Sequence, residues 1–158
     1  MRLVFGQDEG VAKWVASHIP HMGNTVLRDF SAIGVVNDAG HPVAGVIYHD
    51  YIPDYGTIQL TMAASTPRWA QRGTIGALLR YPFVQLGCNK VWTATPHTNE
   101  RAIRFNRGLG FRQEGVLRHQ FGRGAHAVIC GLLKNEYRML FVKEKRSGQE
   151  VVKSAAAA

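Results

Sequence analysis

The spacing of apolar residues along the first half of the chain predicts one helix and four strands. Arg2–Phe5 alternates apolar and polar side chains, as a short edge strand does. From Asp8 to Ile19 the apolar residues recur every three or four positions, which predicts a helix that Pro20 stops. Three apolar and β-branched segments with turn sequences between them predict three antiparallel strands: Ala32–Asn37, Pro42–Tyr51 and Thr57–Ala64.

The second half combines the same two kinds of spacing in another order. A loop over Arg68–Gly73 leads into a predicted helix over Ile75–Leu86, which Pro82 should bend or end early. The remaining pattern predicts a buried strand, a helix with Thr98 as its N-cap, and two closing strands joined by a glycine-rich turn: Lys90–Thr95, Thr98–Arg107, Phe111–Phe121 and Ala125–Leu133.

The order of these elements, β-α-βββ-α-β-α-ββ, predicts the fold class. It indicates an α/β (α+β) protein with a mixed, mostly antiparallel central sheet and helices on both faces. We expect one domain over residues 1–142. The polar stretch 143–158, which ends in four alanines, predicts a disordered tail.

Composition excludes several classes of protein. With 46% hydrophobic and 19% charged residues, the 158-residue chain is too apolar to be disordered throughout. No apolar run approaches the roughly 18–20 residues that cross a bilayer, so no membrane association is expected. Asp8 and Glu9 come too early for a signal peptide. Two cysteines, Cys88 and Cys130, favour a reducing, cytoplasmic location.

The formal charge of +8 is unevenly distributed. Residues 1–79 hold five basic and six acidic side chains, whereas residues 80–158 hold fourteen and five. Such an excess of positive charge indicates an anionic partner, either nucleic acid or a phosphorylated small molecule.

Two segments carry a resemblance to a known family. Gln71–Leu79, which reads QRGTIGALL, is similar to the pyrophosphate loop (Gln/Arg)-x-x-Gly-x-(Gly/Ala) of the GCN5-related N-acetyltransferase (GNAT) superfamily. Asn99–Phe111 resembles the family's Asn-x-x-Ala-x-x-Leu-Tyr-x-x-Leu-Gly-Phe, with its spacing intact. The following Glu114, Gly115 and Arg118 resemble the branch that acetylates ribosomal-protein N-termini.

Each segment alone has an ordinary interpretation. The first could be a strand-to-helix connection with two turn glycines, and the second an amphipathic helix with a glycine stop. Because the two occur in the family's order, separated by a predicted strand, the resemblance is favoured. It implies a GNAT-like fold with acetyl-CoA as the cofactor.

The resemblance also implies cofactor-binding positions. A loop that enters a helix offers unpaired N–H groups and the positive end of the helix dipole to a pyrophosphate. The strand before the loop would pair with pantetheine, and arginines on the later helix would meet phosphates. The predicted cofactor-binding residues are Met62, Ala63, Ala64, Ser65, Arg68, Trp69, Gln71, Arg72, Gly73, Thr74, Ile75, Gly76, Asn99, Arg104, Phe105 and Arg107.

Two of these assignments have structural alternatives. Trp69 could pack on adenine or on the acyl group, but it could equally be a core anchor. The ridge formed by Arg101, Arg104 and Arg107 is in most proteins a solvated helix face.

The sequence departs from the family pattern at three positions. Thr74 replaces the middle glycine of the loop, so its Cβ alters how phosphate is held. Asn106 stands where many members place a tyrosine that protonates the leaving thiolate, and an amide cannot do so. Gln59 lies near a position where a strand carboxylate often acts as base, and it does not titrate.

Candidate catalytic groups cluster where the second hairpin strand ends. We predict a catalytic role for His49, Asp50 and Tyr51, with Asp54 beyond the turn; the alternative is a solvated polar turn. His97, after the strand that precedes the second motif, is a separate candidate. No metal site is predicted, because Pro20 breaks the helix that would align His18 and His21.

These observations favour an acetyl-CoA-dependent N-acetyltransferase that acts on a primary amine of a peptide, a protein or a small molecule. The alternative is a catalytically degenerate GNAT-fold module that binds coenzyme A or a macromolecule. A charged-RNA substrate is a third hypothesis, and nucleic-acid binding is not favoured. A peptide α-amine is the first expected acceptor, ahead of polyamines and aminoglycosides. A homodimer is compatible with the sequence.

Overall fold

The computed structural model describes residues 1–22 and 27–143. The predicted tail therefore lies outside the described residues, except for Lys143. In chain order the elements are β1 (Arg2–Val4), α1 (Asp8–Ser17), β2 (Ser31–Val36), β3 (Pro42–Ile52), β4 (Thr57–Ala64), α2 (Arg72–Arg80), β5 (Lys90–Pro96), α3 (Glu100–Gly108), β6 (Arg112–Leu117), β7 (Ala127–Leu133) and α4 (Lys134–Phe141).

The seven strands form one sheet in the order β1-β2-β3-β4-β5-β7-β6. Neighbouring strands are antiparallel except β4 and β5, which are parallel. The predicted mixed, mostly antiparallel sheet is thus confirmed.

Helices cover both faces of the sheet, as predicted. On one face α1 packs its Val15 against Ala32 and Ile47. The approach is close: a Cβ added to Gly45 would lie 2.7 Å from a methyl group of Val15, so the sheet needs a glycine there. The larger core on the other face joins α2, α3 and α4 through residues such as Leu78, Ile103 and Tyr137.

The sequence predicted that Pro82 bends the second helix or ends it early, but the helical chain continues past Pro82. A π-helical segment, Tyr81–Gln85, continues directly from α2. Pro82 has no N–H to give to the carbonyl of Leu78, four residues earlier. The buried Tyr48 hydroxyl donates to that carbonyl instead, at 2.8 Å, so the interruption is satisfied from the sheet.

Other boundaries differ from the sequence prediction. A 3-10 helix, Pro67–Trp69, occupies part of the predicted loop, and Asn99 rather than Thr98 caps α3, because its side chain accepts from the Ala102 amide. The first closing strand ends at Leu117 instead of Phe121. Helix α4 was not predicted; the Glu136 carboxylate accepts from the Leu133 amide at 2.9 Å and starts it.

Among the described residues, no helix has the length and apolar character that a bilayer crossing requires.

Candidate active site

The sheet opens where its single parallel pair separates. β4 and β5 pair over only three positions, from Thr57 opposite Lys90 to Gln59 opposite Trp92. β4 then continues to Ala64 beside β3, and β5 to Pro96 beside β7. Beyond Gln59 the edges of β4 and β5 that face each other are no longer paired, which leaves a V-shaped opening with backbone groups along its sides.

The wide end of this opening leads to the first turn of α2. No side chain caps this helix at Gln71, and its first turn contains no acidic residue. The first backbone bond into the helix runs from the Ile75 amide to the Gln71 carbonyl, so the amides of Arg72, Gly73 and Thr74 precede the helical ladder. A Cβ on Gly73 would meet nothing within 4 Å. This donor set and its open approach fit a phosphate group.

Several predicted cofactor residues instead serve the core around this turn. The Trp69 ring is only 4% exposed and lies 5.7 Å from the ring of Phe105, so the core-anchor alternative describes it. Ile75 is buried, and Gly76 lies against the side chain of Phe141. Met62 packs on the edge of the same core. A contact between a cofactor and the side chains of Met62, Trp69 or Ile75 is therefore not favoured.

The remaining predicted cofactor residues present more exposed groups, and Arg107 among them lies away from the opening, bonded to Gln113 on the edge strand β6. Ala64 and Ser65 end β4, and the Ser65 amide is bonded to the Val43 carbonyl. Arg72 donates to the Leu140 carbonyl, with its guanidinium over the ring of Phe141. Five of these residues have exposed side chains: Arg68, Gln71, Asn99, Arg104 and Arg107. Ala63 and Thr74 are half-buried.

Asn106 is part of a buried polar network. Its amide nitrogen donates to the hydroxyls of Thr93 at 3.2 Å and Thr95 at 3.3 Å, and all three residues are less than 9% exposed. The two threonines lie on β5 beyond its pairing with β4, and therefore beside the opening. Asn106 cannot donate a proton as an acid at the opening, but its hydrogen bonds hold two hydroxyl groups in position.

His49 lies at the narrow end of the opening. It pairs with Gln59 across β3 and β4, at the level where β5 separates from β4. The imidazole is 6% exposed; its Nδ1 lies 2.7 Å from Asp50 Oδ2 and its Nε2 lies 2.8 Å from Thr61 Oγ1. A neutral ring in this setting donates from Nδ1 to the carboxylate and accepts at Nε2 from the Thr61 hydroxyl.

The backbone around Asp50 is shaped to make this contact. The β3–β4 register shifts between His49 and Ile52, and Asp50 has a φ of 51°, which is uncommon for a residue with a side chain. The bulge lets two consecutive side chains, His49 and Asp50, meet. Backbone strain of this kind is concentrated at functional sites.

The third predicted catalytic residue is placed elsewhere. The hydroxyl of Tyr51 lies 3.4 Å from the Leu86 carbonyl, and no hydrogen bond joins Tyr51 to His49 or Thr61. Asp54 is exposed in the following turn. Sequence reasoning found His49 and Asp50 but missed Thr61, because only the cross-strand register brings that hydroxyl to the ring.

A second group of histidines lies at the wide end of the opening. His97, His119 and His126 have neighbouring rings, with centroids 4.9 Å apart for His97 and His126 and 5.1 Å for His119 and His126. His126 Nδ1 accepts from the His119 amide at 2.9 Å, and His119 Nδ1 accepts from the Gly124 amide. The sequence predicted a role for His97 but gave no signal for the other two.

His18 and His21 do not form a pair. The ring of His18 stacks on Trp14. The ring of His21 contacts Phe121 in the β6–β7 connection, with the two ring centroids 4.4 Å apart. Partial burial lowers the pKa of His21. Within the described ranges, no group of three His, Cys, Asp or Glu side chains is arranged to hold a metal ion.

Comparison with known proteins identifies the fold. No family model and no curated protein matches the sequence. Among solved structures, spermidine/spermine N-acetyltransferase SpeG from Vibrio cholerae is 15% identical, with 86% of this chain and 94% of that chain covered and a TM-score of 0.65. A dodecameric spermidine N-acetyltransferase from the same organism has a TM-score of 0.67 at 15% identity, with coverage of 86% and 95%.

A protein provisionally described as an acetyltransferase is 22% identical over 71% of this chain, with a TM-score of 0.61. The present chain spans 61% of that protein's length. The chain therefore has the GNAT acetyltransferase fold, as the sequence resemblance implied. These structures do not single out the ribosomal-protein branch.

Proposed function

We propose that this protein is an acetyl-CoA-dependent N-acetyltransferase that acts on a primary amine. The observation that carries the proposal is the buried His49, held between Asp50 and Thr61 at the point where β4 and β5 separate. A GNAT-like sheet provides the opening, and this side-chain group provides a proton acceptor beside it.

Acetyl-CoA fits the residues around the opening. The amides at the start of α2, with Gln71, Arg72 and Gly73 exposed beside them, would hold its pyrophosphate, and the free edge of β4 up to Ser65 would pair with pantetheine. When bound, acetyl-CoA supplies the activated acetyl group as a thioester. Arg104 is exposed on α3 and could meet a phosphate, whereas Arg107 is already bonded to Gln113 at 2.7 Å.

The chain's own part in the reaction is to take a proton from the acceptor. An amine at physiological pH carries an extra proton and must lose it before it can attack a carbonyl carbon. The proton passes from the ammonium to Thr61 Oγ1 as the Thr61 hydroxyl proton passes to His49 Nε2. Asp50 accepts a hydrogen bond from Nδ1–H throughout and stabilises the imidazolium that results.

Asn106 takes no part as an acid in this scheme. Its contacts orient the hydroxyls of Thr93 and Thr95, which can donate hydrogen bonds toward the opening. A hydrogen-bond donor stabilises a thiolate without transferring a proton to it, so departure of the leaving group does not require the tyrosine that many family members have.

Substitution of the proton acceptor tests the proposal. His49→Gln should lower kcat about 100-fold, and Thr61→Val, which keeps the shape but removes the hydroxyl, should lower it by a similar factor. Thr61→Ser should retain most of the activity. Release of coenzyme A with a panel of amines measures kcat, and calorimetry measures acetyl-CoA affinity, which should not change.

His41→Gln is the matched control, because His41 is exposed in the β2–β3 turn and far from the opening along β3. Equal activity of His49→Gln and wild type would overturn the proposed proton path. Failure of acetyl-CoA to bind or to raise the melting temperature would overturn the function as a whole. Tight binding without turnover of any amine would favour the degenerate binding module.

A further inference from the structure

The connection between β6 and β7 is a compact, positively charged loop whose structure the proton path does not use. We call Arg118–His126 the histidine loop. Arg118 and Arg123 are exposed on it, and the chain contains no Asp or Glu from Gly115 to Asn135. An exposed loop without any compensating acid is suited to an anionic ligand.

Hydrogen bonds to imidazole rings fix the shape of this loop. His119 Nδ1 and His126 Nδ1 both accept backbone N–H groups from within the loop, and the His126 amide donates to His97 Nδ1 at 3.1 Å. Three residues of the loop have positive φ, including His119 at 57°. Gly122 and Gly124 adopt positive φ readily, whereas a residue with a side chain, such as His119, keeps it only where its surroundings enforce it, so the imidazole bonds hold the arginines on a defined scaffold.

The same bonds determine what the rings can offer to a ligand. A neutral imidazole that accepts at Nδ1 carries its proton on Nε2 and acts there only as a donor. The histidine loop therefore combines two guanidinium groups with imidazole N–H donors. Guanidinium groups and imidazole N–H donors do not bind an ammonium ion; they bind carboxylates or phosphates.

The loop lies on the side of the sheet that carries the proton acceptor. Its Phe121 contacts His21, which follows α1. Helix α1 covers the face of the sheet that carries Ile47. His49, two residues further along β3, points to that same face.

The strand geometry gives the separation of the two places along the strand direction. From Trp92, where β5 leaves β4, to His97 beside the loop is five residues, or about 16 Å at 3.3 Å per residue. Thr61 lies two residues further up β4, so about 10 Å of this separation remains, and the sideways offset from β4 to the β6–β7 connection adds to it. An extended peptide covers this distance with three to five residues.

We infer that the acceptor is the amino terminus of an acidic peptide, whose carboxylates three to five residues from the amine bind Arg118, Arg123 and the imidazoles of the histidine loop. This inference rests on the proposed N-acetyltransferase function and names its substrate class. It also separates this chain from the similar structures that act on spermidine, a polycation.

Three matched octapeptides with a free amino terminus test the inference. They carry glutamate, glutamine or arginine at their fourth and fifth positions, and spermidine is the fourth acceptor. The glutamate peptide should have a kcat/KM about tenfold above that of the arginine peptide, because several exposed charge pairs act together. The difference should shrink as salt rises, and spermidine should be the poorest acceptor.

The double variant Arg118→Ala/Arg123→Ala should lose the preference for glutamate while its kcat with the glutamine peptide and its affinity for acetyl-CoA stay unchanged. Arg138→Ala is the control, because Arg138 is an exposed arginine on α4, on the opposite face of the sheet. Arg123→Glu alone should reverse the preference, and melting temperatures verify that the variants fold.

Calorimetry with the same peptides gives a readout that does not depend on turnover. Tighter binding of the glutamate peptide that is lost in the double variant supports the inference. If this binding is seen but no amine is acetylated, only the proposed function fails. Acetylation without discrimination, or in favour of spermidine, overturns the inference and leaves the function. Loss of acetyl-CoA affinity in the double variant, or tighter binding of a single-stranded RNA oligonucleotide than of the glutamate peptide, also overturns it.

Discussion

At the scale of single residues, a buried side chain can supply the one hydrogen bond that a specific neighbour lacks. The Tyr48 hydroxyl is the donor for a carbonyl that a proline leaves without a helical partner. Burial is the main cause that raises the pKa of Tyr48 far above its ordinary value, so the group is a neutral donor at any physiological pH. The pairing of Pro82 with Tyr48 could not be read from the sequence, because the two residues lie on different elements.

Tyr48→Phe tests this role. The variant leaves the Leu78 carbonyl buried without a donor, which should lower the free energy of unfolding by about 1–3 kcal/mol. Urea denaturation measures the change. Tyr51→Phe is the control, because the Tyr51 hydroxyl is exposed and makes only a long bond of 3.4 Å, so its loss should cost less than about 0.5 kcal/mol. Equal effects of the two substitutions would contradict the assignment.

At the scale of elements, periodicity predicted the strands and three of the four helices. It missed α4 because a short helix, whose four apolar residues all come after its first three positions, follows a strand without any loop. The proposed catalytic group shows the same limit: His49 and Asp50 stand out in the sequence, whereas Thr61 joins them only through the register of β3 against β4.

The contact between α3 and α4 gives a prediction at this scale. Gly110 ends the α3 region with a φ of 101°, and a Cβ there would overlap a terminal methyl group of Leu140. Gly110→Ala should therefore destabilise the protein by about 2 kcal/mol or more, through both backbone strain and the clash. Thermal denaturation measures the loss.

Gly108→Ala is the matched control for this substitution. Gly108 lies at the end of the same helix, a Cβ there would meet nothing within 4 Å, and its φ is not positive. This variant should be neutral or slightly stabilising. An equal or larger loss in Gly108→Ala than in Gly110→Ala would contradict the special constraint assigned to Gly110.

At the scale of the whole molecule, charge and core are distributed differently. The core extends across both faces of the sheet, while the positive charge is concentrated in the second half of the chain. The uneven charge was visible in the sequence, but its meaning was not. Only the fold brings Arg118 and Arg123 to the wide end of the opening, together with histidines that are distant in the chain.

The two cysteines report on the integrity of the whole fold. Cys88 and Cys130 are fully buried, and burial is the largest cause that raises the pKa of both thiols, so little thiolate forms at neutral pH. Both should react with a disulfide reagent at least 100-fold more slowly in the native protein than in denaturant. Rapid labelling of either thiol without denaturant would contradict this packing.

The parallel pairing of β4 and β5 also has a consequence for how the sheet is held together. Only three residue pairs join the two halves of the sheet, as many as join β1 to β2 at its edge, whereas the other four junctions have longer antiparallel ladders. The two halves of the sheet also share one core, because Leu60 of β4 and Val91 of β5 belong to the same buried cluster. Side-chain packing, more than strand hydrogen bonds, therefore holds β4 and β5 together, which leaves backbone groups free along the opening.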